Sequence, residues 1–562
     1  QDSGFSQTSI HARSTWMPTD RSSVSAAFIH SDLHNVRAYN NLLGGLGRLQ
    51  ATFEPQRLNL LYLRYERLAF GWLDSISGTF SVNSQHDGAV RQGLRVSDPA
   101  IVDNNRADVF GYTAQAAAGS TVFGAELYAE RIRSERSEGV IARRPLYPDD
   151  SAYRTTSAFV QHSRQLLRNR IRLQAGGRVT AVRYRTDEAP VFGVTQSRQT
   201  FRDATFNASA GWQVSRWIAL NLLVGRGFRA PNSNDLGAVG LNDLGYEIPA
   251  SEATGLGAVL SNSAGEGATS LGRPVADLRP ERLWNYEAGI RIAAKRLHAR
   301  AQFYDFELLD PIVRRTLLFP ADAVPSALGG LAVRAIAQTP EQRVQNVVAV
   351  AAAIDPRGMK AFVNDGHARY YGVDSTLEWR LNPRAHLRTS YSYITGRELN
   401  PNRRVRRLPP QNGSGSLHVP LLRRLWMETS VLFAGPQSRL SGGDLDDERI
   451  GASRSLRDIS DFFASSRTSV YLQGVVFGPT GETLAEIQGR VLPGISSAAA
   501  RVPLYSRTAG WVDASVRGGF LLRESLMLNA SWTNMLDKNY RVHGSGVDSP
   551  GRSVFLGFTY QF

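Results

Sequence analysis

The chain has 562 residues, a net charge of +15 and no cysteine. The absence of cysteine excludes a disulfide framework and a cysteine-ligated metal, and the length requires either several soluble domains or one very large closed sheet. Arginines supply nearly all of the positive charge and are spread along the whole chain without a zinc-finger, basic-zipper or RNA-sheet motif, so nucleic acid is a disfavoured partner.

The lengths of the apolar runs exclude membrane-spanning helices. The longest run, Val347 to Ile354, falls far short of the roughly 18 residues that such a helix requires. A transmembrane barrel is still compatible with the mean hydropathy of -0.26, because half of the strand positions in a barrel face a polar lumen.

Strict alternation of apolar and polar residues recurs from one end of the chain to the other. It is present in residues 10–16, 76–83, 220–225, 286–292, 375–393 and 526–533. Within this set, Leu377 and Trp379 share one face while Glu378 and Arg380 share the other. Several segments run about nine to twelve residues, the length that a tilted strand needs to cross the hydrocarbon layer. These patterns predict strands with lipid on the apolar face and water on the charged face.

Short connections alternate with long ones along the chain. The short ones are predicted at 18–21, 166–168, 293–296, 382–385 and 522–525, and the long ones at 32–57, 86–106, 230–282, 311–367 and 436–507. Short turns on one rim and long loops on the other are typical of outer-membrane barrels, whose long loops face the outside. The predicted fold class is therefore all-β, a transmembrane antiparallel β-barrel with about nineteen strands in this sequence, short periplasmic turns and long extracellular loops.

The last ten residues, SVFLGFTYQF, end the chain in mid-strand on an aromatic residue. One face of this strand is wholly apolar and consists of Val554, Leu556, Phe558, Tyr560 and Phe562. Neither a charge nor a proline blunts the strand edge, so we expect this edge to be paired.

Four stretches resemble the TonB-dependent outer-membrane receptors. They are GRGFRAPNSNDL (Gly225 to Leu236), LRPERLWNYEAGIR (Leu278 to Arg291), NDGHARYYGVD (Asn364 to Asp374) and WTNMLDKNY…PGRSVFLGFTYQF (Trp532 to Phe562). In that order they are similar to the family's strand-to-loop segment, its L-x-P-E…Y-E-x-G-x-R strand, its N-x-G-x-A…G-V-E strand entry and its closing strand. Their order and spacing extend over more than half of the chain.

The resemblance implies a barrel of about 22 strands around an N-terminal plug. It also implies active uptake of a scarce, bulky ligand across the outer membrane, with energy relayed to the plug by TonB, ExbB and ExbD, and with no cofactor. Neither a plug nor a TonB-docking motif is visible, so residues 1–562 are expected to form the receptor barrel without the plug and about three first strands. Further expected partners are outer-membrane lipid, lipopolysaccharide and the barrel-assembly machinery.

Three groups of site residues are predicted. Five charged residues are expected to face the lumen and to hold a plug, with a solvated pore wall as the alternative: Glu287, Arg291, Asp374, Glu378 and Arg380. Four arginines of an outer loop would suit an anionic ligand, phosphates of lipopolysaccharide, or simply water: Arg403, Arg404, Arg406 and Arg407. Three residues of the terminal strand resemble the signal that the barrel-assembly machinery reads: Gly557, Tyr560 and Phe562.

No enzyme site is predicted, because nucleophile, zinc-protease and phosphate-loop motifs are all missing from the sequence, and no metal ligands are predicted either. Among the family's ligands a ferric siderophore is favoured, while cobalamin, oligosaccharide and peptide stay open. Haem is disfavoured: Phe228 to Pro231 match the F-R-A-P segment of haem receptors, but no histidine lies between His162 and His298. A passive pore or a surface-binding structural barrel is the alternative function. A soluble propeller would need a repeat of about 40 to 50 residues, which is not found.

Overall fold

The computed structural model describes residues 4–37, 49–93, 96–237, 240–242, 245–399, 402–441, 444, 453–455, 476–477, 482–483, 501–503, 507–545 and 549–561. Nineteen long strands make up most of this part of the chain. They are β1 Ser6–Thr19, β2 Ser22–His34, β3 Gln56–Phe70, β4 Leu73–Gln92, β5 Ile101–Ala118, β6 Thr121–Glu138, β7 Ser151–Leu166, β8 Ile171–Thr186, β9 Ser197–Gln213, β10 Ile218–Arg229, β11 Glu281–Ala293, β12 Leu297–Leu309, β13 His367–Arg380, β14 His386–Leu399, β15 Asn412–Leu422, β16 Leu425–Ala434, β17 Trp511–Arg523, β18 Leu526–Thr533 and β19 Ser553–Tyr560.

The nineteen strands form one antiparallel sheet in which each strand pairs with the next one along the chain. Four short strands extend its rim: Val36–Arg37, Gln50–Phe53, Ile141–Arg143 and Asn402–Arg404. Among the described residues, no ladder joins β1 to β19. An up-and-down sheet of this size confirms the predicted all-β class, and its strand count agrees with the alternation in the sequence.

The connections confirm most of the predicted rim asymmetry. The turns between β1 and β2, β11 and β12, β13 and β14, and β17 and β18 are as short as predicted. The long loop predicted at 86–106 is wrong, because β4 and β5 stay paired as far as Arg91 and Ile101. In this stretch both faces of the hairpin carry polar side chains, so apolar alternation ends before the backbone ladder does. Most of the loop predicted at 436–507 lies outside the described residues.

The pairing register places the apolar residues of the strands on one face of the sheet. Directly opposite residues share a face, and a continuous series links Leu127 of β6 to Thr156, Ala181 and Arg202 on the next three strands. The large apolar side chains of this face are exposed, with relative accessibilities of 46% for Leu127, 59% for Leu222 and 72% for Phe558. We call this surface the apolar face and the opposite one the polar face.

Two long connections fold on each other beyond the rim that bears the long loops. We call residues 230–280 and 310–366 together the loop domain. Its strands are Gly240–Asn242, Gly245–Glu247, Val259–Ser261, Ser270–Pro274, Ile312–Thr316, Leu318–Pro320, Ala327–Leu328, Leu331–Ala335, Val347–Ala352 and Lys360–Asn364, and its helices are Ser233–Gly237, Ala250–Ala253 and Pro340–Val344. The strands form one sheet of four strands and one of six. The connection between β8 and β9 adds a 3-10 turn, Pro190–Phe192, and two short ladders pair Ser453–Ser455 with Arg501–Pro503 and Val476–Phe477 with Glu482–Thr483.

The largest hydrophobic core of the described chain lies in the loop domain. Both connections contribute to it, with Tyr246 and Ile248 from the first and Phe319, Val350 and Met359 from the second, all almost completely buried. The strand Val347–Ala352 is buried at every position, which explains the first six residues of the longest apolar run in the sequence. No helix in the described residues is long and apolar enough to span a membrane.

Candidate functional site

The five charged residues predicted to face the lumen all lie on the polar face. Glu287 of β11 lies opposite Tyr304 of β12, and Tyr304 lies opposite Gly372 of β13, so these three residues share a face. Every second residue of a strand is on the same face, so Asp374 and Glu378 share the face of Gly372. Arg291 and Arg380 belong to the same face by the same parity. The register thus places all five on one face, but they lie on two strands, β11 and β13, which are separated by β12, and they do not form one cluster.

A hydrogen-bonded network surrounds Glu287. Its carboxylate accepts from Asn285 Nδ2 at 2.7 Å and from Gln302 Nε2 at 2.9 Å, while Gln302 Oε1 accepts from Asn221 Nδ2 at 3.1 Å. Gly289 lies directly opposite Gln302, and a Cβ placed there would come within 2.2 Å of Gln302 Oε1. The glycine therefore makes room for amides that hold the carboxylate in a fixed orientation.

The other four residues have looser surroundings, and Arg380 among them is exposed. Asp374 accepts from Ser392 Oγ at 2.6 Å, and Glu378 lies 3.7 Å from Arg388 in an ion pair whose two side chains are 63% and 68% exposed. Arg291 faces Arg300 directly across the ladder. Such open positions are suited to exchange partners with water or with a docking segment, and contribute little to stability by themselves.

A second hydrogen-bonded network on the polar face was not predicted from the sequence. Arg178 of β8 donates to Glu126 of β6 at 2.5 Å and also to Ser157 of β7, so it ties three adjacent strands together. The only signal in the sequence was a charged residue on each strand at a position that alternation assigns to the polar face. That signal is common in this chain and gives no indication of which charges meet.

Three of the four family-like stretches meet at the base of the loop domain. Arg229, at the end of β10, forms an ion pair with Glu281, at the start of β11, at N···O distances of 2.6 and 3.0 Å. Asn364, just before β13, donates to the backbone oxygens of Arg279 and Asp310 and accepts from Arg279 N at 2.7 Å. These contacts hold together the two ends of each connection where it leaves the sheet. They give a structural reason for the arginine, the glutamate and the asparagine in the three stretches.

Above this base, a single buried carboxylate binds three arginines. Asp365, 2% exposed, accepts from Arg273 at 2.5 Å, from Arg315 at 2.8 Å and from Arg403 at 3.3 Å. The three arginines come from the first connection, the second connection and the segment between β14 and β15. Charge-assisted hydrogen bonds of this kind are strong where water is excluded, so Asp365 fixes these three segments to one another.

The four loop arginines predicted to contact ligand divide into buried and exposed members. Arg403 uses its guanidinium on Asp365, Glu398 and the backbone oxygen of Asn262, so it is a structural contact of the loop domain. Arg404 is half-buried opposite Arg397. Arg406 and Arg407 are exposed, on a turn that the buried Val405 and Leu408 anchor to the sheet. They place two adjacent positive charges at the rim that bears the long loops, which we call the mouth.

Two buried ionisable groups lie inside the loop domain. Burial lowers the pKa of Lys360, against the effect of Glu266 at 3.6 Å, and its Nζ donates to Gly358 O at 2.9 Å. Burial likewise raises the pKa of Glu252, against the effect of Arg144 at 3.5 Å. Arg144 also donates to Gly329 O at 2.8 Å, so it connects the rim after β6 to both connections of the loop domain.

Two of the three residues compared with an assembly signal are described. Gly557 lies on the polar face of β19 opposite Asn529, and Tyr560 lies on its apolar face opposite Leu526. Phe562 lies outside the described residues. Within the part of the chain that is described, no three histidines or carboxylates are grouped to hold a metal ion.

Comparisons with known proteins match this architecture. The family model described as "TonB dependent receptor-like, beta-barrel" matches residues 2–462. The chain is similar to the solved structure of the copper transporter OprC, with a TM-score of 0.63 at 12% identity over 99% of this chain and 72% of the other. No curated protein matches the sequence.

Two further solved structures show the same fold. The FrpB iron transporter from Neisseria meningitidis (F5-1 variant) has a TM-score of 0.60 at 12% identity, covering 99% of this chain and 73% of its own. The siderophore receptor PirA from Acinetobacter baumannii has a TM-score of 0.60 at 13% identity, covering 99% and 71%. Each of them is named as a receptor or a transporter.

Proposed function

The chain belongs to the TonB-dependent receptors, a family of outer-membrane barrels, and from that premise we propose that it takes up a ferric siderophore by TonB-dependent transport. The observation that carries the proposal is the family match over residues 2–462. In this family the ligand is captured by outer loops and passes the barrel when a plug, moved by TonB with ExbB and ExbD, opens the lumen. The five polar-face residues are proposed contacts of such a plug.

The ligand class is supported by two independent considerations. Structural neighbours are named as iron, siderophore and copper transporters, so scarce metals recur among proteins of this fold. The exposed Arg406 and Arg407 offer guanidinium groups at the mouth, which suit an anionic iron chelate better than a neutral sugar or a free cation. Arg403 is half-buried and is a structural contact of the loop domain, so we do not propose it as a ligand contact.

The test is iron uptake in cells that lack their own siderophore receptors and express the gene that encodes this chain. Radioactive iron bound to catecholate, hydroxamate or mixed-type siderophores is supplied under iron limitation, in strains with and without TonB. We expect accumulation from at least one siderophore only when TonB is present. The double substitution Arg406→Gln and Arg407→Gln should weaken binding of that siderophore about tenfold by removing two charge-assisted contacts.

A matched control is Arg384→Gln, an exposed arginine on the short-turn rim at the other end of the strands, which should bind the siderophore as the wild type does. Equal accumulation with and without TonB would instead support a passive pore. No accumulation from any of the siderophores would reject the ligand class and leave the family assignment unchanged.

A further inference from the structure

An unusual concentration of arginine lies on the apolar side of the sheet, near the rim that bears the long loops. Eight arginines on β5 to β9 share this face and are called the arginine field: Arg106, Arg131, Arg133, Arg154, Arg183, Arg185, Arg198 and Arg202. Register fixes their face, because each has the parity of an exposed apolar residue on its own strand, such as Leu127 on β6 or Val179 on β8.

Three pairs within the field are arginines directly opposite each other on neighbouring strands. They are Arg106 with Arg133, Arg154 with Arg183, and Arg185 with Arg198. Directly opposed side chains have Cβ atoms about 4.5 to 5.5 Å apart, and like charges at that distance destabilise a sheet. Three such pairs on five adjacent strands therefore carry an electrostatic cost that a bound anion would remove.

Carboxylates of the protein neutralise only part of this charge. Arg106 pairs with Asp108, Arg131 with Asp150 and Arg185 with Asp187. Among the described residues the remaining five have no carboxylate within ion-pair distance, although Asp108 and Asp150 still feel the charge of Arg133, and all five are exposed: Arg133, Arg154, Arg183, Arg198 and Arg202. Near the same rim on β12 and β13 the charge on this face is paired, since Arg369 donates to Asp305 at 2.9 Å.

Along the strands, the arginine field lies next to the apolar surface, on the side toward the rim that bears the long loops. Arg131 follows Leu127 by four residues and Arg183 follows Val179 by four, which places these arginines roughly 13 Å further toward the rim at about 3.3 Å per residue. A lipid whose tails cover the apolar face would hold its headgroup at that height. Guanidinium pairs bind phosphate oxygens through several N–H groups at once, which a neutral headgroup cannot match.

We propose that the arginine field is a binding site for phosphorylated lipid headgroups of the membrane leaflet on the long-loop side. The site lies on the outer wall of β5 to β9, apart from the mouth where a transported ligand would bind. The opposed arginine pairs are its strongest positions, because one phosphate group bridges both members of a pair.

The test compares lipid binding to the purified protein in dodecyl maltoside micelles by native mass spectrometry. Lipid A with two phosphates, and the same lipid enzymatically freed of phosphate, are titrated into the wild type and into the triple variant Arg154→Gln, Arg183→Gln, Arg198→Gln. The wild type should bind the phosphorylated lipid about tenfold more tightly than the dephosphorylated one, and the triple variant should lose that preference.

Two further variants separate charge from fold. Arg164 lies on the same strand and face as Arg154 but near the short-turn rim. The variant Arg164→Gln should therefore keep the wild-type preference for the phosphorylated lipid. Lysine at the three positions should restore most of the binding, since the charge is kept. Heat-modifiable migration on gels verifies that each variant is folded. Equal binding of both lipids by the wild type, an unchanged preference in the triple variant, or displacement of the lipid by millimolar inorganic phosphate would each overturn the proposal.

Discussion

The wall of the sheet and the loop domain place their apolar side chains in opposite environments. On the wall, Leu556 and Phe558 are more than 70% exposed, whereas Phe319 and Val350 in the loop domain are completely buried. The wall satisfies its backbone groups through continuous ladders, as a membrane demands, and leaves its apolar surface to lipid. The loop domain obtains its stability as a water-soluble domain does, by burying apolar area and pairing the charges it buries.

This difference in environment also determines where a charge that loses its partner destabilises the protein. On the wall, exposed ion pairs such as Glu378 with Arg388 are in contact with water and contribute little. In the loop domain, Asp365 is withdrawn from water and compensated by three arginines. Loss of one partner is tolerated on the wall but leaves uncompensated charge in the loop domain, so charge substitutions are the sharpest way to compare the two regions.

The largest effect is expected from Asp365→Asn. Removing the carboxylate leaves three arginines around a neutral residue in a buried site, which should cost about 3–5 kcal/mol. Hydrogen exchange in detergent should show faster exchange throughout residues 310–366 while the strands β10 to β13 stay protected. The control Asp322→Asn changes an exposed carboxylate of the same connection and should leave exchange unchanged. Equal protection in both variants would show that Asp365 does not hold the loop domain together.

A somewhat smaller effect is expected when a charge is placed on the apolar face. Leu222→Arg should destabilise the sheet in lipid vesicles by about 2–4 kcal/mol, because the guanidinium would lie in hydrocarbon. Leu223→Arg, one residue further on and on the polar face, should change the free energy of unfolding by less than about 1 kcal/mol. Urea titrations of refolding into vesicles measure both. A larger loss for Leu223→Arg would reverse the assignment of the two faces.

The smallest of the three effects is expected from Gly330→Ala. Gly330 has φ +74°, and an added Cβ would lie 2.6 Å from Gly193 Cα, so both strain and a clash between the loop domain and the connection after β8 are expected, at about 1–3 kcal/mol. Gly272→Ala is the matched control, because Gly272 has φ +68° but open space around it. The temperature at which a protease cuts the loop domain should fall more for Gly330→Ala. An equal fall in both variants would mean that only backbone strain matters.

The wall of this protein was largely predictable from its sequence. Strand alternation depends on neighbouring residues alone, so residues 375–381 revealed the face of Leu377 and that of Glu378 without knowledge of any distant contact. The prediction failed at residues 86–106, where polar side chains occupy both faces of a hairpin that the backbone still holds together. Alternation reveals a strand only where its two faces have different environments, and it gives no signal where both faces are exposed to water.

The loop domain was not predictable in the same way. Residues 230–282 and 311–367 were identified only as long connections, because their strands are short and their core is shared between segments far apart in sequence. The role of Arg403 was likewise unpredictable, since its partners Asp365 and Asn262 come from both of the other segments. A local pattern indicates that an arginine is present but not which distant carboxylate will bind it.

The shared core of the two connections restricts how this protein can diverge or be redesigned. Tyr246 and Ile248 from one connection pack with Val350 and Met359 from the other. Deletion or replacement of one connection alone would therefore expose an apolar surface on the other. Recombination between relatives should therefore exchange both as a single cassette, spliced at Arg229–Glu281 and at Asp310–Asn364, where the ends already lie side by side.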